Sequence, residues 1–112
     1  MNPQTVPSVT VSDIADDLPA GTLLDVREDD EWAAGHAPDA VHIPMSELAG
    51  RLDELPQDAN LYVICRSGGR SARVTAYLNA NGWDAVNVDG GMRSWAAAGR
   101  PLVCADGRPE VI

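Results

Sequence analysis

Leu61-Tyr62-Val63-Ile64 is a short apolar run that stops at Cys65-Arg66-Ser67-Gly68-Gly69-Arg70-Ser71, and the alanine-rich stretch that follows has helical spacing to about Asn81. An apolar run of this length, bounded by glycine, predicts a strand buried on both faces and therefore central in a sheet. A strand that delivers a thiol to the start of a helix puts the sulfur among unpaired backbone N–H groups and at the positive end of the helix dipole. That setting favours thiolate over thiol. Gly68 and Gly69 leave the backbone free to curl around an anion, and Arg66 and Arg70 add positive charge.

The rest of the chain repeats the alternation. Residues 9–11, 22–26, 40–43 and 85–88 read as four further strands. Ser12 is the expected cap of a short helix carrying Ile14 and Leu18, stopped by Pro19. The acids Glu28 to Glu31 suit a helix start, and Gly35 ends that helix. Leu48, Leu52 and Leu55 fall at helical spacing before Pro56. Ala72, Ala76 and Ala80 give the helix after Cys65 a small face for close packing, with Gly82 just past its end. Gly90-Gly91 turns into a helix carrying Met92 and Trp95, ended by Gly99 and Pro101. Strands alternating with helices at this spacing predict a parallel sheet covered on both faces. With 112 residues the expectation is one domain over 1–112, its core about 8–101 and a loosely docked extension at 102–112.

Charge narrows the function. The net charge is −9 and there is no lysine, which argues against nucleic acid as a partner. From Ala59 to Trp83 there is no acid but three arginines, Arg66, Arg70 and Arg73, so a small positive field surrounds the cysteine. No stretch approaches the roughly 20 apolar residues of a membrane span, and the first residues lack the pattern of a secretory signal. The expectation is a soluble, cytoplasmic protein. Cys65 and Cys104 form no C-x-x-C pair, and the two histidines are not spaced as zinc ligands, so neither a structural disulfide, a metal nor a cofactor is expected.

The loop holds no histidine or carboxylate to serve as general acid or base, which disfavours chemistry that needs a protonated leaving group. Sulfur transfer needs none. A thiolate attacks the outer sulfur of thiosulfate, sulfite leaves as an anion, and the persulfide formed is itself anionic and suited to a nest of amides. Asp89 is the acid expected nearest the loop. Arg27 is expected to pair with the acids of Glu28 to Glu31. His36 and His42 read as packing or hydrogen-bonding residues, Trp95 as a core anchor, and Cys104 as a bystander rather than a resolving thiol.

Four segments resemble the single-domain rhodaneses, the thiosulfate sulfurtransferases. They are Leu24-Asp25-Val26-Arg27 with the acids up to Trp32; Gly35-His36-Ala37-Pro38 through Pro44; the Cys65 loop; and Asp89-Gly90-Gly91-Met92-Arg93-Ser94-Trp95 with Gly99-Arg100-Pro101. The resemblance spans about residues 8 to 101. It implies a three-layer α/β/α rhodanese-like fold with a five-stranded parallel sheet. It also implies a catalytic Cys65, a donor held by Arg66, Ser67, Gly68, Gly69, Arg70 and Ser71, and no cofactor. The partners implied are an anionic donor such as thiosulfate and a thiol or cyanide acceptor. A relay that hands persulfide sulfur to a protein partner is the alternative. The related dual-specificity phosphatases have a loop one residue longer, with arginine where Ser71 stands, which disfavours phosphatase or arsenate reductase activity.

Overall fold

The computed structural model describes residues 6–16, 18–19, 22–57 and 59–112. Five strands, β1 (Ser8–Thr10), β2 (Leu23–Asp25), β3 (Val41–His42), β4 (Asn60–Ile64) and β5 (Asp84–Asp89), pair in the order β1-β5-β4-β2-β3. Every pairing is parallel. The helices are α1 (Asp29–Ala34), α2 (Gly69–Ala80) and α3 (Gly91–Ala97). None is long and apolar enough to cross a membrane.

β4 is the middle strand, as its unbroken apolar character predicts. Its residues alternate between the two layers. Leu61, Val63 and Cys65 pack with Val74 and Leu78 of α2 and with Leu48 and Leu55, whereas Tyr62 and Ile64 pack with Met92 and Trp95 of α3 and with Val11 and Ile14. Two apolar layers thus sandwich the sheet, as the three-layer expectation requires. Because all five strands run one way, the carboxyl ends of β2, β4 and β5 bring three turns to the same edge: Val26 to Glu28, Cys65 to Gly68, and Gly90. Ligands of open parallel sheets bind at this edge.

Several local expectations need correction. The helix expected after Ser12 is a single 3-10 turn, Val11–Asp13, capped from Thr10, whose N–H donates to the Asp13 carboxylate at 3.1 Å. Ile14 is already extended, so the turn cannot propagate. The leucines at helical spacing lie on two 3-10 turns, Met45–Gly50 and Leu52–Glu54, separated at Arg51. Leu48 and Leu55 are buried as the spacing predicts, but Gly50 is a poor helix former and the chain closes i to i+3 bonds instead. On α2 the buried face is Ser71, Val74, Thr75 and Leu78. Ala72 and Ala76 are half-buried and Ala80 is exposed, so the small residues flank the packing face rather than form it.

The extension at 102–112 is docked rather than loose. His36 and Val103 exchange both backbone hydrogen bonds, at 3.0 and 2.9 Å, and the Glu110 N–H donates to the Ala34 carbonyl at 2.9 Å. Leu102 and Val111 pack against the α3 layer.

Arg27 does not pair with the acids of α1. Its guanidinium meets the Asp25 carboxylate at 2.8 Å with both side chains fully buried, and donates to the Gly35 carbonyl at 2.7 Å. The Arg27 N–H also donates to Asp25 at 3.0 Å, which fixes the turn between β2 and α1. Trp32 of α1 stacks between the rings of His36 and His42, at centroid distances of 3.6 and 4.6 Å. Each histidine donates to a backbone carbonyl, His36 to Trp32 and His42 to Arg27. Removing one partner of a buried ion pair strands the other charge and costs roughly 3–5 kcal/mol. Asp25→Ala should therefore lower the urea midpoint by that equivalent, whereas Glu47→Ala, which removes one exposed partner of Arg51, should change it by less than about 1 kcal/mol.

Candidate active site

Cys65 follows β4 directly, and its side chain is turned from the sheet towards the start of α2. The Gly68 N–H donates to Cys65 Sγ at 3.1 Å, and Ser71 Oγ lies 3.2 Å from the same atom. Burial by itself pushes the thiol pKa up. Hydrogen bonds from the Ser71 hydroxyl and from the amides of Ser71, Gly68 and Ser67 outweigh it, so the pKa falls below the ordinary thiol value. The residue is only 1% exposed, and the rim around it is Arg66, Ser67 and Gly69. A thiolate at this position is buried and stabilised by an amide and a hydroxyl, with no cationic side chain hydrogen-bonded to the sulfur among the described residues.

The loop adopts this shape because other elements occupy its carbonyls. The Met92 N–H donates to the Cys65 carbonyl at 2.8 Å and the Arg93 N–H to the Arg66 carbonyl at 3.0 Å. These are first-turn amides of α3, with no partner inside their own helix. With the Arg66 carbonyl turned to α3, the N–H of the same peptide, that of Ser67, is free to face the sulfur. The approach demands glycine at residue 91: φ is +55°, and a Cβ there would sit 2.4 Å from the Cys65 carbonyl oxygen. Gly68, with φ of +114°, makes the left-handed turn into α2. Asp89 stands beside it, its carboxylate 3.6 Å from where a Gly68 Cβ would lie, so this acid is at the loop as expected.

Arg70 is held by Glu31. The two form a two-pronged ion pair at 2.6 and 2.8 Å, joining α1 to the first turn of α2. The Arg70 guanidinium holds the Glu31 carboxyl down at about 2, against the opposing cost of partial burial. Arg70 still lies close enough to feel the Cys65 charge. Arg66 and Arg73 are exposed and form no ion pair among the described residues. Of the sequence-derived set, the structure thus gathers Cys65, Ser67, Gly68 and Ser71 around one sulfur. It places Arg66 and Gly69 on the rim and ties Arg70 to a carboxylate.

Two contributors escaped the sequence reading. Glu31 stands among four consecutive acids with nothing to single it out. Asn87 was more legible: a buried asparagine in the middle of Ala85-Val86-Asn87-Val88 contradicts strand preference and asks for a polar partner. That partner is Ser71, whose Oγ lies 2.6 Å from Asn87 Oδ1. Cys104 is a free thiol that donates to carbonyls of its own turn, Asp106 and Gly107. No cluster of three or more His, Cys, Asp or Glu residues suited to a metal ion occurs among the described residues.

The sequence model of the rhodanese-like domain matches residues 10–98. The chain belongs to the rhodanese-like domain family. It is 46% identical to Bacillus subtilis YtwF over 79 residues, covering 70% of this chain and 77% of that protein. It is 41% identical over 86 residues to a sulfurtransferase of Allochromatium vinosum, covering 76% and 80% of the two chains. Among solved structures, a rhodanese-related protein from Thermoplasma volcanium superposes with a TM-score of 0.80 at 37% identity, covering 87% of this chain and 97% of that one. The rhodanese-like fold and a relationship to sulfurtransferases are therefore established from sequence and coordinates together.

Two outcomes follow for this rhodanese-like site. A methyl group at residue 91 must displace the carbonyls of Cys65 and Arg66, so Gly91→Ala should raise the Cys65 pKa and destabilise the fold by about 1–3 kcal/mol, read by thiol alkylation against pH and by urea titration. Glu31 has a folded pKa below its ordinary value near 4.5, so its contribution to stability is present above that value and is lost as pH falls towards about 2. Acid titration of Glu31→Gln should show a flatter loss of stability over that window than the parent; parallel curves would contradict the assignment.

Proposed function

We propose that the protein is a sulfurtransferase that moves sulfane sulfur from thiosulfate, or a similar anionic donor, to a thiol or cyanide through a persulfide on Cys65. The supporting observation is the sulfur of Cys65 held by the Gly68 amide and the Ser71 hydroxyl with its pKa lowered. In the first half-reaction the Cys65 thiolate attacks the outer sulfur of thiosulfate. The donor S–S bond breaks, sulfite departs with the bonding pair, and Cys65 carries a terminal sulfur with one negative charge. In the second, an acceptor thiolate or cyanide attacks that terminal sulfur and the Cys65 thiolate leaves. No proton has to be supplied in either step, which suits a loop whose own residues 65–71 include no acid or base.

In this reading the amides of residues 66 to 71 hold the charge on the terminal sulfur. Arg66, exposed on the rim, attracts the sulfonate end of the donor. Arg70 acts mainly through its fixed positive charge, its guanidinium fork being occupied by Glu31. The reaction calls for a reducing compartment such as the cytoplasm, where Cys65 stays free between turnovers.

A relay protein that hands the same persulfide to a protein partner shares every step but the last. Acceptor choice separates the two: brisk turnover with cyanide or a small thiol supports the enzyme, and transfer confined to a protein supports the relay. A phosphatase reading requires Cys65-dependent hydrolysis of an aryl phosphate, and none is expected from a loop of this length. Intact-mass measurement after exposure to thiosulfate should show one added sulfur atom on the parent protein, removable by cyanide, and none on Cys65→Ser. An unmodified parent protein would refute the proposal.

A further inference from the structure

We infer that Asn87 is a positioning residue for Cys65: its side-chain amide adopts one of two orientations according to the charge on the sulfur, and thereby decides which way the Ser71 hydroxyl proton points. Its role in turnover rests on the persulfide chemistry proposed above, but the geometry stands apart from it.

The Ser71 hydroxyl has one proton and two acceptors to serve. Its oxygen lies 2.6 Å from Asn87 Oδ1 and 3.2 Å from Cys65 Sγ. All three residues are buried, Asn87 at 4% and the other two at 1% or less, so solvent is excluded as an easy substitute partner. The neighbouring Thr75 hydroxyl donates to the Ser71 backbone carbonyl and leaves this oxygen alone. Register brings the third member into place. Asn87 on β5 pairs with Val63 on β4, two residues before Cys65, and so points into the same layer.

The two charge states of the sulfur demand different arrangements. When Cys65 is a neutral thiol, its S–H can donate to Ser71 Oγ, and the Ser71 proton goes to Asn87 Oδ1. When Cys65 is a thiolate it can only accept, so the Ser71 proton must turn to the sulfur. Asn87 Oδ1 would then face Ser71 Oγ with no proton between two acceptors at 2.6 Å. A half-turn of the amide replaces Oδ1 by Nδ2, which donates to Ser71 Oγ. The chain becomes Nδ2–H to Oγ–H to sulfur, each bond polarising the next. The charged groups around this chain are Arg70 on α2 with Glu31 of α1 behind it, Asp25 and Arg27 at the end of β2, Arg66 in the loop and Asp89 at the end of β5. None of them hydrogen-bonds to the Ser71 hydroxyl or to the Asn87 side chain among the described residues. The orientation that serves the attacking thiolate also serves the thiolate released when sulfur is delivered.

The test uses Cys104→Ser protein, so that one thiol titrates. The side-chain amide resonances of Asn87 are followed by nitrogen-15 NMR while thiolate absorbance reports Cys65. The expected result is movement of those resonances with the same midpoint as the thiol, abolished in Ser71→Ala. Resonances that stay fixed through the thiol midpoint overturn the inference, and this reading needs no substitution at residue 87. As a functional counterpart, Asn87→Asp supplies acceptors only and should raise the Cys65 pKa by about one unit, a tenfold loss of thiolate below the midpoint. At least half of that shift should vanish when the same change is made in Ser71→Ala. An equal shift in both backgrounds would mean a through-space charge effect and would also overturn it. Neither measurement involves turnover, so failure here leaves the persulfide proposal standing, and failure of persulfide formation leaves this coupling standing.

Discussion

The site depends on two hydrogen bonds that do not touch the sulfur, from the amides of Met92 and Arg93 to the carbonyls of Cys65 and Arg66. A trans peptide points its C=O and N–H in opposite directions, and no cis peptide occurs among the described residues. Fixing the Arg66 carbonyl against α3 therefore directs the next N–H, that of Ser67, the other way, towards Cys65. The first turn of α3 has amides to spare, and the loop has carbonyls that would otherwise repel a thiolate. Each solves the other's deficit. Gly91 is the condition for the approach, because any side chain there would collide with the Cys65 carbonyl.

Charge is arranged around that nest in tiers. The buried Asp25–Arg27 pair shapes the turn that leads to α1, α1 presents Glu31, and Glu31 fixes Arg70 at the mouth of α2. The result is a positive charge at the start of α2 whose guanidinium fork is occupied by a carboxylate. Amides and a hydroxyl lower the pKa of the sulfur, and the gain in thiolate fraction is set against some loss of intrinsic nucleophilicity.

The elements that were legible in the sequence are those with a single physical cause. β4 had to be central because Leu61, Val63 and Ile64 cover both faces of the strand with apolar side chains, and α2 could be placed because Gly68 permits the left-handed turn that opens it. The leucines at 48, 52 and 55 misled because spacing reports which residues face inward, not how the backbone closes its hydrogen bonds. A 3-10 turn buries Leu48 as well as an α-helix would. The alanines of α2 misled for a related reason: small residues permit close packing but do not require it, and the buried face holds Ser71, Val74, Thr75 and Leu78. At the site, Cys65 and its loop could be read from local sequence, since the nest is built from consecutive residues. Glu31 and Asn87 could not be assigned their partners, because those contacts span 39 and 16 residues of chain. Only the fold sets such distances.

Main-chain amides and one hydroxyl around the buried Cys65 sulfur lower its pKa below the ordinary thiol value. The most direct measurement is the thiolate absorbance of Cys104→Ser protein titrated across pH. The expected midpoint lies clearly below the ordinary thiol value near 8.5. A midpoint at or above that value would mean that burial outweighs the nest and that the amides do not stabilise the sulfur's charge.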